Sequence, residues 1–403
     1  MRSRRALIVG GSMSGLFCAL FLRRHGWEVA LYERSPLALT GRGAGIMTHP
    51  ELHQAMAAVG LATDKSFGVP IAERVALDRA GRVVARRCHP QIATSWNRLF
   101  EMLGAHVGSG PYHLGKDLVH VSQGDSEVVA HFTDGTAQAG DVLIGADGLR
   151  SSVRGQFLAE VRPRYAGYVA WRGLLAERDA AAVLGPELFG QLSFFLPPGE
   201  QFLGYPVAGP GNDLRPEHRS WNIVWYRPAD EAGELPRLLT DARGRTHELS
   251  IPPPLTAPGV VAEMQAAAER LLPDPFRAAI ALMAQPFLQP IYDLESPAIA
   301  FGRVALAGDA AFVVRPHVGA GVLKAAHDAA ALAECLDADA TVEAGLGLYE
   351  ARRAPIGRQF VARARRLGCY LTYRFDSEEA RASAAFHAAP ERVLAETAVV
   401  DFL

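Results

Sequence analysis

Cysteine is scarce in this chain of 403 residues. The four present, Cys18, Cys88, Cys335 and Cys369, are too scattered for a disulfide framework or a zinc site. Cys18 and Cys335 fall within apolar helical patterns and read as small core residues. Such usage suits a reducing compartment, and a cytoplasmic protein is expected. Excess charge is also lacking: 41 Lys and Arg face 43 Asp and Glu, for a net charge of −2. No general attraction to nucleic acid or to anionic lipid follows from that balance. No apolar run reaches the ~18 uninterrupted residues of a membrane span. The basic start Met1-Arg2-Ser3-Arg4-Arg5 leads into an apolar run, Ala6 to Val9, only a strand long, so no signal peptide is expected. Internal repeats and low-complexity linkers are missing as well.

What is present begins with a βαβ pattern. Ala6-Leu7-Ile8-Val9 is a continuous apolar run ending at Gly10, the mark of a buried parallel strand. Ser14 to His25 carries apolar residues at helical spacing and stops at Gly26. Glu28 to Glu33 reads as the second strand. Val128–Phe132, followed by Asp134-Gly135, and Asp141–Ile144, running into Gly145, are further strands. From about Tyr165 to Tyr292 the chain turns rich in aromatic and β-forming residues separated by Pro and Gly turns, which predicts an antiparallel sheet. Helical composition returns near Val260–Leu272, a strand follows at Arg303–Ala307, and the rest from Gly321 is Ala-rich and helical. The expected fold class is α/β: a Rossmann-like domain with an inserted antiparallel sheet domain and C-terminal helices. The expected boundaries are 1–68, 96–165 and 284–403 for the first domain, and 69–95 and 166–283 for the second.

Three stretches carry chemistry. Gly10-Gly11-Ser12-Met13-Ser14-Gly15 offers a tight turn, a helix packed close to its strand, and free N–H groups facing a pyrophosphate. The second glycine position of the dinucleotide fingerprint is Ser12, whose Cβ crowds a phosphate and whose hydroxyl can donate to one. Glu33, closing the second strand, is placed to accept from an adenosine ribose. Gly145-Ala146-Asp147-Gly148 and Gly308-Asp309-Ala310-Ala311 each follow a buried strand, so their polar groups emerge where open α/β sheets bind ligands. Asp309 can accept from a ribityl hydroxyl. The N–H groups of Gly319, Ala320 and Gly321 open the next helix, and can face a flavin ring where reduction places negative charge. Together these predict one bound FAD. No second glycine-rich unit follows a buried strand and opens a helix with an acidic partner: Gly41–Gly45, Gly104–Gly110 and Gly345–Gly347 all fail that test. A nicotinamide reductant, if used, has no dedicated domain.

The three motifs in this order resemble the class A FAD-dependent aromatic monooxygenases, the family of para-hydroxybenzoate hydroxylase. Within it the likeness is greatest to the dihydroxypyridine hydroxylases. It is carried by Gly10 to Leu16, Tyr32 to Leu37, Tyr165 to Gly173 and Arg315-Pro316-His317, and that subgroup shares Ser at the second glycine position. The resemblance implies FAD packed on Gly10, Gly11, Ser12, Met13, Ser14 and Gly15. It places Glu33 and Arg34 at the adenosine end, Asp147 near the pyrophosphate, Asp309 at the ribityl chain and Gly319, Ala320 and Gly321 at the ring. Arg42 falls where the family has its flavin-gating loop. Departures are Phe312 in place of the usual His and His327 in place of the usual Glu before Asp328; whether Arg98 serves the flavin stays open.

The implied reaction consumes NADH or NADPH and O2, forms a C4a-hydroperoxyflavin and hydroxylates a small aromatic or N-heteroaromatic substrate. Nucleic-acid and membrane partners are not expected, and the chain is expected as a monomer or homodimer. Such a site must exclude water, orient the ring and favour its deprotonated form. His317, after Pro316 in the flavin-facing loop, is expected to titrate near neutrality and accept a substrate proton, or else to be a paired structural histidine. Tyr205 is the candidate hydrogen-bonding group on the sheet. Phe202, Trp221 and Trp225 read as sheet core. Oxygenation of a larger polyketide or indole scaffold, or ligand sequestration without turnover, stay open on the residues alone. A flavin halogenase is disfavoured, because Trp221 to Trp225 has the wrong spacing and lacks the proline context.

Overall fold

The computed structural model describes residues 4–39, 45–64, 66–339, 341–372 and 377–402. Its first sheet has six strands in the order Ala300–Phe301, Val304–Leu306, Val142–Gly145, Arg5–Val9, Glu28–Glu33 and Tyr112–Leu114. All neighbours run parallel except the first pair. Ala6 to Val9 is buried on both faces, which is why the run is uninterrupted rather than alternating. The register sets Val9 beside both Gly145 and Tyr32, and Gly145 beside Leu306. Three motifs separated by well over a hundred residues therefore leave one sheet edge side by side, with Glu33 next in the row.

Helix Met13–Arg24 packs on this sheet and against helix Gly321–Ala338. The turn before it tolerates no side chain. Gly10 has φ +109°, and a Cβ there would lie 2.4 Å from the Ala146 carbonyl; one on Gly15 would lie 1.8 Å from the Gly10 carbonyl. A three-stranded antiparallel sheet, Leu118–Gln123, Val128–Phe132 and Ala137–Gly140, flanks the first. Among the described residues no helix is long and apolar enough to cross a membrane, and no group of three or more His, Cys, Asp or Glu could hold a metal.

The second sheet has nine strands: Phe312–Val313, Phe287–Glu295, Arg164–Ala176, Ser220–Pro228, Gln201–Val207, Leu192–Phe195, Val69–Leu77, Val83–Ser95 and Gly45–Met47. It is antiparallel except where Leu192–Phe195 joins Val69–Leu77, so the wholly antiparallel expectation is corrected at that seam. The hairpin 69–95 enters from an earlier part of the chain and meets the inserted strands in the same direction. The sheet also draws Gly45–Met47, Phe287–Glu295 and Phe312–Val313 from segments expected in the first domain.

Alternation divides its faces. Trp171, Phe202, Trp221, Ile223 and Trp225 point to helices Pro258–Leu271 and Asp274–Ala281, where Phe202 stacks on Phe276 at 4.4 Å. Tyr168, Ala170, Leu203, Tyr205, Val224 and Tyr226 point the other way, into a core shared with Met47, Leu394 and Ala398. The sheet curls enough for strand Gln201–Val207 to touch strand Val83–Ser95, giving that second face a concave shape.

Candidate flavin and substrate site

At the strand edge the glycine loop is braced from both sides. Tyr112 Oη donates to the Gly11 carbonyl at 2.7 Å, and the Gly11 N–H donates to Glu33 at 2.9 Å. A Cβ on Gly11 would strike that Tyr112 hydroxyl. The other Glu33 oxygen accepts from the Ser35 N–H at 2.9 Å, which fixes the carboxylate at the end of its strand. Ser12 is the N-cap of helix Met13–Arg24, yet its side chain makes no capping bond, so the first-turn N–H groups remain open for an anion. Met13 and Ser14 turn inward instead. Met13 joins the core, and the Ser14 hydroxyl packs against Gly308. The adjoining cleft is lined by Gly10 to Ser12, Glu33, Arg34 and Asp147, and also by Trp96 and Lys116, which sequence reasoning missed. The glycine cradle, open helix terminus and fixed Glu33 suit the diphosphate and ribose of FAD.

Asp147 is committed locally. Its carboxylate accepts from Ser151 Oγ at 2.5 Å and from the N–H groups of Ser152 and Val153 at 2.7 and 3.2 Å, capping helix Ser152–Phe157. Burial raises its pKa. Asp309 is different. It is exposed, and its carboxylate has no hydrogen-bond partner among the described residues. The protein packed around it pushes its pKa up, Lys324 pulls it down and Asp328 adds to the rise.

Beneath Asp309 lies a buried ionic cluster that the sequence reading missed. Lys324 Nζ donates to the Gly308 carbonyl at 2.7 Å and to Asp328 at 3.2 Å. Asp328 accepts from the Gly308 N–H at 3.1 Å and from Arg353 Nε at 2.9 Å. Burial works against the Asp328 charge, but Lys324 and Arg353 hold its pKa below the ordinary value. Both backbone polar groups of Gly308, at φ +62°, are thereby fixed. The signal in the sequence was a Lys and an Asp four apart on an Ala-rich helix.

The loop before helix Gly321–Ala338 is held from three directions. His49 Nε2 lies 3.1 Å from the Gly319 carbonyl and, facing an acceptor, carries its proton there. The His317 carbonyl accepts from the Ala398 N–H at 2.8 Å. Gly319 has φ +64°, and a Cβ would press on Ala398 at 2.8 Å. Ala398 belongs to the C-terminal segment, which buried Arg74 grips through the Leu394, Thr397 and Ala398 carbonyls. Ala320 is the N-cap of the helix, and open space lies around Gly321.

His317 does not match the expectation of a near-neutral base. It is buried, its Nε2 lies 2.7 Å from Tyr168 Oη, and its pKa is lowered to about 3 by burial, then by Arg315 and His387. Tyr205 is buried on the concave face, where burial raises its pKa to about 12 and keeps the hydroxyl protonated. Its hydroxyl lies beside Gly45 and next to Asn222, its cross-strand neighbour. Phe202, Trp221 and Trp225 are core on the opposite face, as expected. Arg34 lines the exposed rim of the cleft. The Arg98 charge lies near Asp64, and Arg42 falls outside the described residues.

Comparison with known proteins agrees with this geometry. An NAD(P)-binding Rossmann-like domain model matches residues 8–54, an FAD binding domain-like model 165–293, and an FAD binding domain model 297–364. The chain is 33% identical over 374 residues to a 2,6-dihydroxypyridine 3-monooxygenase of Paenarthrobacter nicotinovorans, covering 92% of each chain. It is 30% identical over 383 residues to a 3-amino-4-hydroxybenzoate 2-monooxygenase of Streptomyces cremeus, covering 91% of this chain and 87% of the relative. The solved 2,6-dihydroxypyridine-3-hydroxylase from Arthrobacter nicotinovorans is similar with a TM-score of 0.86 at 32% identity, over 94% of this chain and 96% of that one. Klebsiella pneumoniae HpxO with FAD and uric acid shares the fold, with a TM-score of 0.77 at 24% identity over 97% and 95% of the chains.

Proposed function

This chain belongs to the class A FAD-dependent aromatic monooxygenases, and from that premise we propose that it hydroxylates a small, hydroxypyridine-like ring using NADH or NADPH and O2. One short segment ties the two sides of the site together. Gly45 is bonded to the sheet through Asn222, and His49 is bonded to the flavin-facing loop at Gly319. Four residues of extended chain span at most about 14 Å. So short a tether keeps the sheet end of the site close to the flavin-facing loop. The small ring rests on the end-to-end likeness to a relative named for a dihydroxypyridine.

Bound FAD supplies the redox and oxygen-activating chemistry. The chain's own residues then have separate tasks. Gly10, Gly11, Ser12 and Gly15 hold the diphosphate, and Glu33 with Arg34 the adenosine end. Asp309 takes the ribityl hydroxyls, and the N–H groups after Gly319 face the ring where negative charge develops. Leu203, Val224 and Tyr226 keep water from the reacting face. Tyr205 Oη, held protonated, fixes a ring oxygen by donating to it. His317, bonded to Tyr168, positions the flavin-facing loop rather than taking the substrate proton. The reading places the enzyme in the cytoplasm.

A panel of hydroxypyridines and phenols tests it, scored by reductant consumption and by product mass. Dihydroxypyridines should accelerate NAD(P)H oxidation and gain one oxygen atom. Acceleration only by polyketide, quinolone or indole scaffolds would overturn the small-ring reading.

A further inference from the structure

Asn222 is fully buried in the middle of the concave face, on the strand that also presents Val224 and Tyr226 to the flavin side. Its amide orientation is fixed by one contact: the Gly45 N–H donates to Oδ1 at 3.1 Å. The amide nitrogen therefore points away from Gly45. That Nδ2 is buried and meets no acceptor among the described residues. An unmatched buried donor costs about 1–3 kcal/mol; Trp221 Nε1 and Gln201 Nε2 on the same sheet are unmatched too, and Asn222 differs in that its amide is held by Gly45 beside the Tyr205 hydroxyl. Its neighbour across the strands is Tyr205, whose hydroxyl would lie 2.8 Å from a Cβ on Gly45. Two hydrogen-bonding groups thus stand together at the sheet end of segment Gly45–His49, whose other end is tied to Gly319.

We propose that Asn222 is a specificity-determining residue, its Nδ2 donating to a ring oxygen of the substrate in its carbonyl or oxyanion form. The inference rests on the hydroxyaromatic reading given above and deepens it. An amide donor with a fixed orientation selects a ring that presents an acceptor at that position. Lactam tautomers and oxyanions of hydroxy-N-heteroaromatics do so, whereas an unsubstituted ring edge does not. The same contact favours the electron-rich form of the ring that accepts oxygen. Because Oδ1 holds the Gly45 backbone, Asn222 also couples substrate binding to the segment leading to His49 and the flavin loop.

Asn222→Asp separates recognition from structure. An ionised carboxylate keeps the acceptor for the Gly45 N–H but removes the donor; an aspartate that burial keeps protonated still donates, so Asn222→Ala is the deciding variant. Equilibrium binding is measured in oxidised holoenzyme without reductant, by calorimetry, for 2,6-dihydroxypyridine and for its mono-deoxy and fully deoxy analogues. Wild type should prefer the oxygenated ring by about ten- to a hundredfold. In Asn222→Asp with the carboxylate ionised that preference should collapse, with FAD content unchanged. Asn222→Ala, which removes both functions, should lose the same preference and guards against a misfolded aspartate variant. If folded Asn222→Ala keeps the wild-type preference, Asn222 only anchors Gly45 and the proposal fails. If wild type binds no hydroxyaromatic ring at all, the functional reading fails and takes the inference with it.

Discussion

Tyr168 Oη and His317 Nε2 lie 2.7 Å apart, both buried, in a pocket closed by the Tyr226 ring and by Arg315. Burial raises the tyrosine pKa and lowers that of the histidine, so both are neutral. Arg315, a donor-only group salt-bridged to Asp293 at 2.7 Å, flanks the Tyr168 oxygen. The phenol proton is thus directed to Nε2, and His317 is an acceptor already in use. The pair joins the sheet to the loop that opens helix Gly321–Ala338.

A positioning pair behaves as a unit under mutation. Tyr168→Phe and His317→Ala should each lower the ratio of hydroxylated product to NAD(P)H consumed and raise hydrogen peroxide. The double variant should be no worse than the poorer single one. The pH profile of kcat should keep its shape in all three. Loss of an acid limb in His317→Ala alone would restore the histidine to the role of base.

Buried neutral histidines also set an acid limit on stability. Below its ordinary pKa of 6.5 the unfolded chain protonates His317, while the folded pKa is about 3. Stability from this group is complete above pH 6.5 and is lost as pH falls toward 3, because the unfolded state binds the extra proton. Between pH 6.5 and 5 the loss is about 2 kcal/mol. His49, His53 and His327, also lowered chiefly by burial, act with the same sign. Urea midpoints at pH 7.5 and 5 should differ accordingly, and His317→Gln should flatten the difference. Equal midpoints at the two pH values would contradict it.

Asp147 and Asp309 look alike in sequence and differ in commitment. The Asp147 oxygens are all engaged by its own helix, whereas exposed Asp309 has no partner among the described residues. Asp309→Ala should weaken FAD binding by about ten- to a hundredfold and barely change apoprotein stability. Asp147→Ala should instead cost about 1 kcal/mol or more of stability, as a lost cap does. Dissociation constants for FAD and melting curves of the two apoproteins decide it. An equal fall in FAD affinity would erase the distinction.

The glycine turn, the strand ends at Gly10, Gly145 and Gly308, and the position of Glu33 were legible because each is a local pattern set by backbone sterics. Trp221 and Trp225 were read as sheet core, and they lie on the face packed by helices Pro258–Leu271 and Asp274–Ala281. The environment of His317 was not legible, since its lowered pKa comes first from burial and then from Arg315 and His387, and its partner Tyr168 reaches it from a distant strand. Gly45 and Asn222 are 177 positions apart, and only the curl of the sheet joins them. Arg74 reads as an ordinary strand arginine until the C-terminal carbonyls close around it. The seam at Leu192–Phe195 escaped because strand direction is a property of the path between elements, not of the strand's residues.

Lys324 is the remaining test of how the flavin-facing edge is held. It is wholly buried, and its ammonium links the Gly308 carbonyl to Asp328. Removing one partner of a buried ion pair leaves an uncompensated charge and typically costs about 3–5 kcal/mol. Arg353 still contacts Asp328 at 2.9 Å, so Lys324→Met should fall toward the lower figure. Adding Asp328→Asn to Lys324→Met should deepen the loss, because the Arg353 guanidinium is then buried without its carboxylate. Lys324 also draws the Asp309 pKa down. In Lys324→Met that pull is gone, so Asp309 should protonate at higher pH and FAD should release further from the acid end of the scale. Urea denaturation of the apoprotein measures the first effect, and FAD retention between pH 5 and 8 the second. Unchanged stability, with an unchanged FAD-release curve, would mean that the cluster neither supports the edge nor tunes Asp309.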